Sequence, residues 1–245
     1  MTDTSHLSRD EREELLELYD GLRVTDVTDG LDANGFHDLN RLDRDIRPLI
    51  RDPEQFAHRF VGFANTIRFH PTNQRRDLPT LDELDFDSFT DWRDQWYGER
   101  SGEPADIQNG DVIVVESHGI DVGIIGSMNA LEWTASGAVG VVTNGGPRDT
   151  DELILQDIPV YSKDINKPII PGRTEVDARQ VPVNVGGCLI RPDDVIVADG
   201  DGVVVVPVEH AKSVAEDART EQQADQEMRR AYYDELGMEH DFTLE

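Results

Sequence analysis

The chain has 245 residues, of which 51 are acidic and 23 basic, giving a formal net charge of −28, and 37% are hydrophobic. That is enough apolar matter for one sizeable core, while so negative a surface repels polyanions and excludes a nucleic-acid partner. No stretch approaches the roughly eighteen apolar residues of a membrane span, and the start lacks a basic-then-apolar leader pattern, so the reading is a cytoplasmic protein without a membrane partner.

The acidity runs from Asp3 to Glu245 and the lysines are three, Lys163, Lys167 and Lys212. Evenly spread acidity with so little lysine reads as adaptation to a high-salt, halophilic interior, where ions screen self-repulsion. The single cysteine, Cys188, excludes an internal disulfide or a multi-cysteine metal site and reads as a small core residue.

In chain order, Ser8 followed by Asp10, Glu11 and Glu13 predicts a helix start, with Leu15, Leu16, Tyr19 and Leu22 at helical spacing. A second helix is expected over Val24 to Asp32, ending at Asn34-Gly35, with Asp26 and Asp29 as caps and surface residues. From Arg41 to Gly102 the sequence is irregular and charged. Strands are expected there at Ile46 to Ile50 and, by its alternation, at Phe60 to Phe69. His70 to Arg100 reads as a loop-like insertion carrying Trp92, Trp96 and Tyr97, placed to cover a site, to make a subunit contact, or simply to be solvated surface.

Gly110-Asp111 leads into a buried strand, Val112 to Glu116, and His118 follows in a loop with no partner within four residues. The glycine-flanked loop Gly123 to Met128 offers backbone amides that can converge on an anion. A small-residue helical segment from Ala130 to Ser136 precedes the apolar strand Ala138 to Thr143. Behind it stand Gly145-Gly146-Pro147-Arg148-Asp149. Charged side chains at a strand-to-turn junction are placed for use: a guanidinium clamps a carboxylate through paired hydrogen bonds, and a carboxylate holds a hard divalent cation. Asp149 with Glu152 also spells a helix start. Ile158 to Tyr161 reads as a strand, Ile169 to Arg173 as a turn-bounded segment, and Val181 to Val185 as an edge strand by its proline. Asp199-Gly200-Asp201-Gly202 is a hairpin turn joining Val195–Ala198 to Val203–Val206. Val208 to Leu236 is a long acidic helix with too few apolar positions to bury itself, expected to lie against a neighbouring subunit.

Several blocks then fall into one order: Gly145-Gly146-Pro147-Arg148-Asp149, the run Val181 to Gly187, and Arg191 through Pro207. Over Gly123 to Pro207 the chain resembles the family of 4-hydroxy-4-methyl-2-oxoglutarate aldolases and RraA-like proteins, and the Asp-x-x-Asp character near Asp26 extends the likeness. The resemblance implies an α/β fold, a β/β/α swivelling-type domain with a central β-sandwich and flanking helices, assembled as a homotrimer or dimer of trimers. It divides the chain into an N-terminal helical segment (1–40), an elaborated region (41–109), a core with the site motif (110–207) and a C-terminal helix (208–245).

By the same resemblance the protein is a divalent-metal-dependent lyase of a small-molecule 2-oxo acid, acting through a metal-stabilised enolate by aldol cleavage or by decarboxylation. Asp149 is the implied ligand of Mg²⁺ or Mn²⁺. Arg148 and the backbone of Gly126, Ser127 and Met128 are the implied substrate contacts, and Glu227 of an adjacent chain is an implied proton-transfer group. One departure stands out: Ser127, twenty-one residues before Arg148, is matched by the resemblance to the position where the family's aldolases carry an aspartate. A serine orients a water but is no base at neutral pH without a partner. The alternative the family offers is a non-catalytic, ribonuclease-regulator-like binding protein.

The charge reading has a direct test. Thermal stability should rise from about 0.05 M to about 2 M KCl, as the Debye length shrinks towards about 3 Å. A melting temperature equal at both ends would remove it.

Overall fold

A computed structural model describes residues 7–74, 82–100 and 102–244, and all that follows concerns those residues. The chain opens with helix α1 (Arg9–Tyr19), whose cap is the expected one: the Ser8 side chain accepts from the Glu11 amide while Glu11 reaches back to the Ser8 amide. Helix α2 (Val24–Ala33) follows and stops at Asn34, as read from the sequence. Asp26 does cap it, accepting the Arg23 amide at 2.9 Å, but it is buried and not a surface residue; Arg23 and Gln222 close over its carboxylate.

Strand β1 (Arg47–Pro48) is only a short edge, whereas β2 (Phe60–Pro71) is long and central. After β2 comes the main departure. The segment read as a loop-like excursion contains helix α3 (Phe86–Arg100). The reason is topological: β2 pairs in parallel with the next strand, β3 (Asp111–Glu116), and parallel neighbours require a crossover of a dozen residues or more, usually a helix. The same logic recurs twice. From β3 the chain passes through a short strand, β4 (Gly123–Ile125), and helix α4 (Ser127–Ala135) to reach β5 (Ala138–Thr143), parallel to β3. From β5 it passes through β6 (Gly146–Pro147) and helix α5 (Thr150–Leu155) to β7 (Val160–Ser162), parallel to β5.

The later chain is antiparallel. β8 (Thr174–Arg179), which the charged sequence Thr-Glu-Val-Asp-Ala-Arg hid, pairs with the far end of β2. β9 (Val183–Val185) and β10 (Cys188–Ile190) form a ribbon, and β11 (Val195–Asp199) with β12 (Gly202–Val206) forms the expected hairpin. The main sheet runs β1-β7-β5-β3-β2-β11-β12, with β8 branching from β2.

Alternation along the strands sorts the core into layers. One face, with Ala64, Val112, Val114, Val142, Ile196 and Val205, packs on the β9–β10 ribbon through Val183, Val185, Cys188 and Ile190. The other face is covered by helices. Val195, Val197, Val204 and Val206 meet α1, α2 and the C-terminal helix α6 (Ala211–Leu236); Ile113, Val115, Val141 and Val160 meet Trp133 and Leu153 of α4 and α5. Two β layers and one helical layer result, a mixed α/β fold as expected.

The first half of α6 does not wait for a neighbouring subunit. Ala211, Val214, Ala215, Ala218 and Gln222 are buried against α1 and α2 of the same chain, and Tyr19 donates its hydroxyl to the Ala211 carbonyl at 2.8 Å. Only beyond Gln222 does the helix stand exposed, with Met228, Tyr232 and Leu236 in solvent. A buried cation ties the other end of α1 down: Arg12 lies over the Phe63 ring and pairs with Asp111, whose second oxygen accepts from Asn65 at 2.9 Å.

The α2–α6 contact depends on a glycine. A Cβ at Gly30 would stand 2.4 Å from the Val214 carbonyl oxygen, a backbone atom that cannot step aside. Gly30→Ala should therefore destabilise by about 1–3 kcal/mol, despite the gain of about 1 kcal/mol in helix propensity. Gly98 of α3 has nothing within 4 Å of such a Cβ, and Gly98→Ala should stabilise by about 0.5–1 kcal/mol. Denaturant unfolding of both variants checks the opposite signs; equal signs would show that propensity, not packing, decides.

Candidate active site

In open sheets with parallel strands, ligands gather beyond the carboxyl ends of those strands. The chain leaves the carboxyl ends of β3 and β5 by two short strands that pair in parallel with each other, β4 and β6, with Gly123 opposite Gly146 and Ile125 opposite Pro147. The Arg148 amide continues this pairing by donating to the Ile125 carbonyl at 2.8 Å. Close approach is possible because residue 123 is glycine: a Cβ there would meet Cβ, Cγ and Cδ of Arg148 at 2.9 Å. The arginine stem lies over the bare backbone of β4.

Asp149 follows in the left-handed conformation, φ 55° and ψ 42°. Such backbone is uncommon outside glycine and often marks a functional site. Although α5 begins directly after it, the Asp149 side chain does not cap that helix, so the capping box suggested by Asp149 and Glu152 is absent. The carboxylate turns the other way. Oδ2 accepts the Ser127 amide of α4's first turn at 3.3 Å, and Oδ1 accepts from the Arg148 Nε at 3.2 Å. A carboxylate at a helix N-terminus is favoured by the helix dipole.

Ser127, Arg148 and Asp149, flagged in the sequence, are thus brought together. Gly126 is the residue before α4, and its amide donates to Asn129 Oδ1 at 2.7 Å. Ser127 is buried at the helix start and, unlike Gly126 and Met128 on either side, is not among the residues that line the cleft, while Met128 stands exposed at the rim. The amide of Ser127 is donated to Asp149, so the anion it meets in this chain is the protein's own carboxylate. Glu227 lies on the exposed second half of α6 and is not among the residues that line this cleft. His118 is also elsewhere: at φ 52° its ring stacks on His70 with centroids 4.6 Å apart, and its Nδ1 is 3.7 Å from Glu116, a partner only two residues away.

The cleft measures about 540 Å³, and the stretch from His70 to Arg100, for which covering a site was one of the alternatives, supplies one of its walls. Arg148, Asp149 and Gly126 form one side; Asn129 and Trp133 of α4 and Ile169 and Ile170 another; Arg93, Asp94 and Tyr97 of α3 face them. Trp133 is held by an indole hydrogen bond to Glu103, also in the cleft. Burial raises the Tyr97 phenol above its ordinary value, against the opposing pull of Arg148 and Arg93. A signal for α3 was present: Phe89, Trp92 and Trp96 recur at helical spacing.

The strand-to-helix turn thus sets an arginine and an aspartate side by side in the cleft. The family model RraA-like, described as Aldolase/RraA, matches residues 24–205, and the chain belongs to that family; the likeness begins well before Gly123. A Halalkalibacterium halodurans protein provisionally named 4-hydroxy-4-methyl-2-oxoglutarate aldolase is 30% identical over 128 residues, 52% of this chain and 60% of that one. A Deinococcus radiodurans protein of the same provisional name is 35% identical over 101 residues, 41% of this chain and 62% of its own length. The matches therefore span less than two thirds of these relatives.

Among solved structures, an uncharacterized protein of Pseudomonas syringae superposes with a TM-score of 0.68 at 26% identity, covering 93% of this chain and 94% of that one. Streptomyces coelicolor RraAS2, described as an unusual member of the RNase ES inhibitor RraA protein family, gives 0.67 at 25% identity over 88% and 96%. No described helix is long and apolar enough to cross a membrane.

Proposed function

We propose that the protein is a divalent-metal-dependent lyase that breaks a carbon–carbon bond of a 2-oxo acid, by aldol cleavage to pyruvate or by decarboxylation. The observation that carries this reading is the Arg148–Asp149 pair: its aspartate is held in left-handed backbone by the start of α4, and its arginine lies over Gly123.

A sparse donor set suits one class of cation. Among the described residues no group of three or more His, Cys, Asp or Glu side chains is arranged to hold a metal. Asp149 would be a lone protein ligand, which suits Mg²⁺ or Mn²⁺, ions that keep most of their waters. Its two oxygens each accept one long hydrogen bond, at 3.2 and 3.3 Å, and retain lone pairs for a cation. When bound, such an ion supplies Lewis-acid stabilisation of negative charge on the 2-oxo oxygen.

The chain's own groups do the rest. Arg148 spends its Nε on Asp149, leaving its Nη atoms to grip the substrate carboxylate. Ser127, buried beside the cleft at the start of α4, would orient a water near the reacting carbons. In a homotrimer, Glu227 would serve the cleft of a neighbouring chain. The second reading, a regulatory binding protein, is favoured by Ser127 in place of an aspartate and by the likeness to RraAS2. Pyruvate release from 2-oxo acids separates the two.

Two outcomes are expected. Asparagine tolerates left-handed backbone and its carbonyl can still accept the Ser127 amide. Asp149→Asn should therefore keep the melting temperature in EDTA while losing Mg²⁺- or Mn²⁺-dependent pyruvate release; undiminished turnover at limiting metal would sink the ligand assignment.

The other concerns Ser127. Aldol cleavage removes a hydroxyl proton, whereas decarboxylation does not, and general base assistance contributes about 10²- to 10⁴-fold. The wild type should decarboxylate oxaloacetate more readily than it cleaves 4-hydroxy-2-oxo acids, and Ser127→Asp should raise cleavage more than decarboxylation. Ordinary enzymatic cleavage by the wild type, unchanged in Ser127→Asp, would place the base elsewhere.

A further inference from the structure

The cleft contains the same dipeptide twice. Arg148-Asp149 stands at the β6–α5 junction and Arg93-Asp94 on α3, and in both the arginine's Nε donates to the Oδ1 of its own neighbour, at 3.2 Å and 2.8 Å. Each pair therefore presents a guanidinium held by one edge, with its terminal nitrogens as the fork that matches a carboxylate. Tyr97 lines the same cleft, four residues, one helical turn, beyond Arg93, and both arginines act electrostatically on its phenol.

The helix that carries Arg93 is fixed. Tyr97 packs on the core beneath the cleft, Trp96 is buried with its indole nitrogen donating to the Thr174 carbonyl at 3.3 Å, and Arg100 pairs with Glu175 at 3.1 Å. Three anchors over the last turn and a half of α3 hold the helix against β8. A solvated excursion would need none of them. In a chain of net charge −28, two arginines line one cleft, each with its Nε on its own neighbour's carboxylate, and the chemistry that answers the second guanidinium is a second negative group on the ligand.

We infer that Arg93 is a specificity-determining residue: it receives the anionic far end of a 2-oxo acid whose near carboxylate is held by Arg148, so that α3 selects doubly charged substrates over those ending in an alkyl group. This rests on the 2-oxo acid reading of the site, but its test does not require turnover.

The probes are 2-oxoglutarate and 2-oxopentanoate, equal in chain length and differing in a terminal carboxylate against a methyl. Calorimetric affinities for the full chain, with Mg²⁺ and at fixed ionic strength, give a ratio. A charge-assisted contact predicts that the wild type favours 2-oxoglutarate by about tenfold to a hundredfold. Arg93→Gln should bring that ratio near one, and Arg93→Lys should restore part of it. A wild-type ratio near one, or a ratio unchanged in Arg93→Gln, overturns the assignment. Should the ratio behave as expected while no 2-oxo acid yields pyruvate, the lyase reading fails and the role of Arg93 in ligand selection stands.

Discussion

Parallel strands cannot be joined by a tight turn, and the β2, β3, β5 and β7 array imposes that constraint three times. Each crossover includes a helix, and α3, α4 and α5 all contribute side chains to one apolar cluster on the same face of the sheet. The cleft is the space these helices leave beyond the carboxyl ends of the strands. Residues far apart in sequence, Arg93, Met128 and Arg148, come to line it because each belongs to a different crossover. The antiparallel part of the sheet, closed over α1, α2 and α6, contributes support and no part of this cleft.

Within that frame the local chemistry depends on backbone more than on side-chain abundance. β4 and β6 are three and two residues long, too short to be stable alone. They are held by their mutual pairing and by the carbonyls of Pro168 and Pro147, which accept the amides of Gly123 and Asn166 at 2.8 and 3.0 Å. Asp149 then bridges the two crossovers, since its carboxylate belongs to the third and accepts from the first turn of the helix in the second. One side chain thereby sets the relative position of Arg148 and Ser127.

Elements with a local physical signature were legible in the sequence. The capping box at Ser8, the stop at Asn34-Gly35 and the Asp-Gly-Asp-Gly hairpin are specified by residues within a few positions of one another. The Arg148-Asp149 motif was legible through resemblance, and its neighbours Gly123 and Ser127 came with it. What escaped was set by tertiary context. β8 carries charged residues because part of it faces solvent, and it is a strand only because the exposed end of β2 offers it hydrogen-bonding partners. α3 carried a faint local signal in Phe89, Trp92 and Trp96, but its necessity comes from β2 and β3 being parallel, which no short window reveals. The buried role of Asp26 was likewise invisible until Gln222, almost two hundred residues later, was seen to fold over it.

Charge sets a last condition on how such a site can work. At low ionic strength the field of 28 excess negative charges opposes the approach of any anion. At about 1 M salt the Debye length is about 3 Å, so the long-range field is nearly extinguished, while a partly buried hydrogen-bonded pair is screened much less. Recognition of an anionic substrate in such a medium cannot rely on steering from a distance. It has to come from contact, and contact is what a guanidinium with one edge already held provides: its orientation is settled before the ligand arrives, and less freedom is lost on binding. On the proposed reading of the cleft as a 2-oxo acid site, two such groups let a strongly acidic protein hold an anion by contact alone.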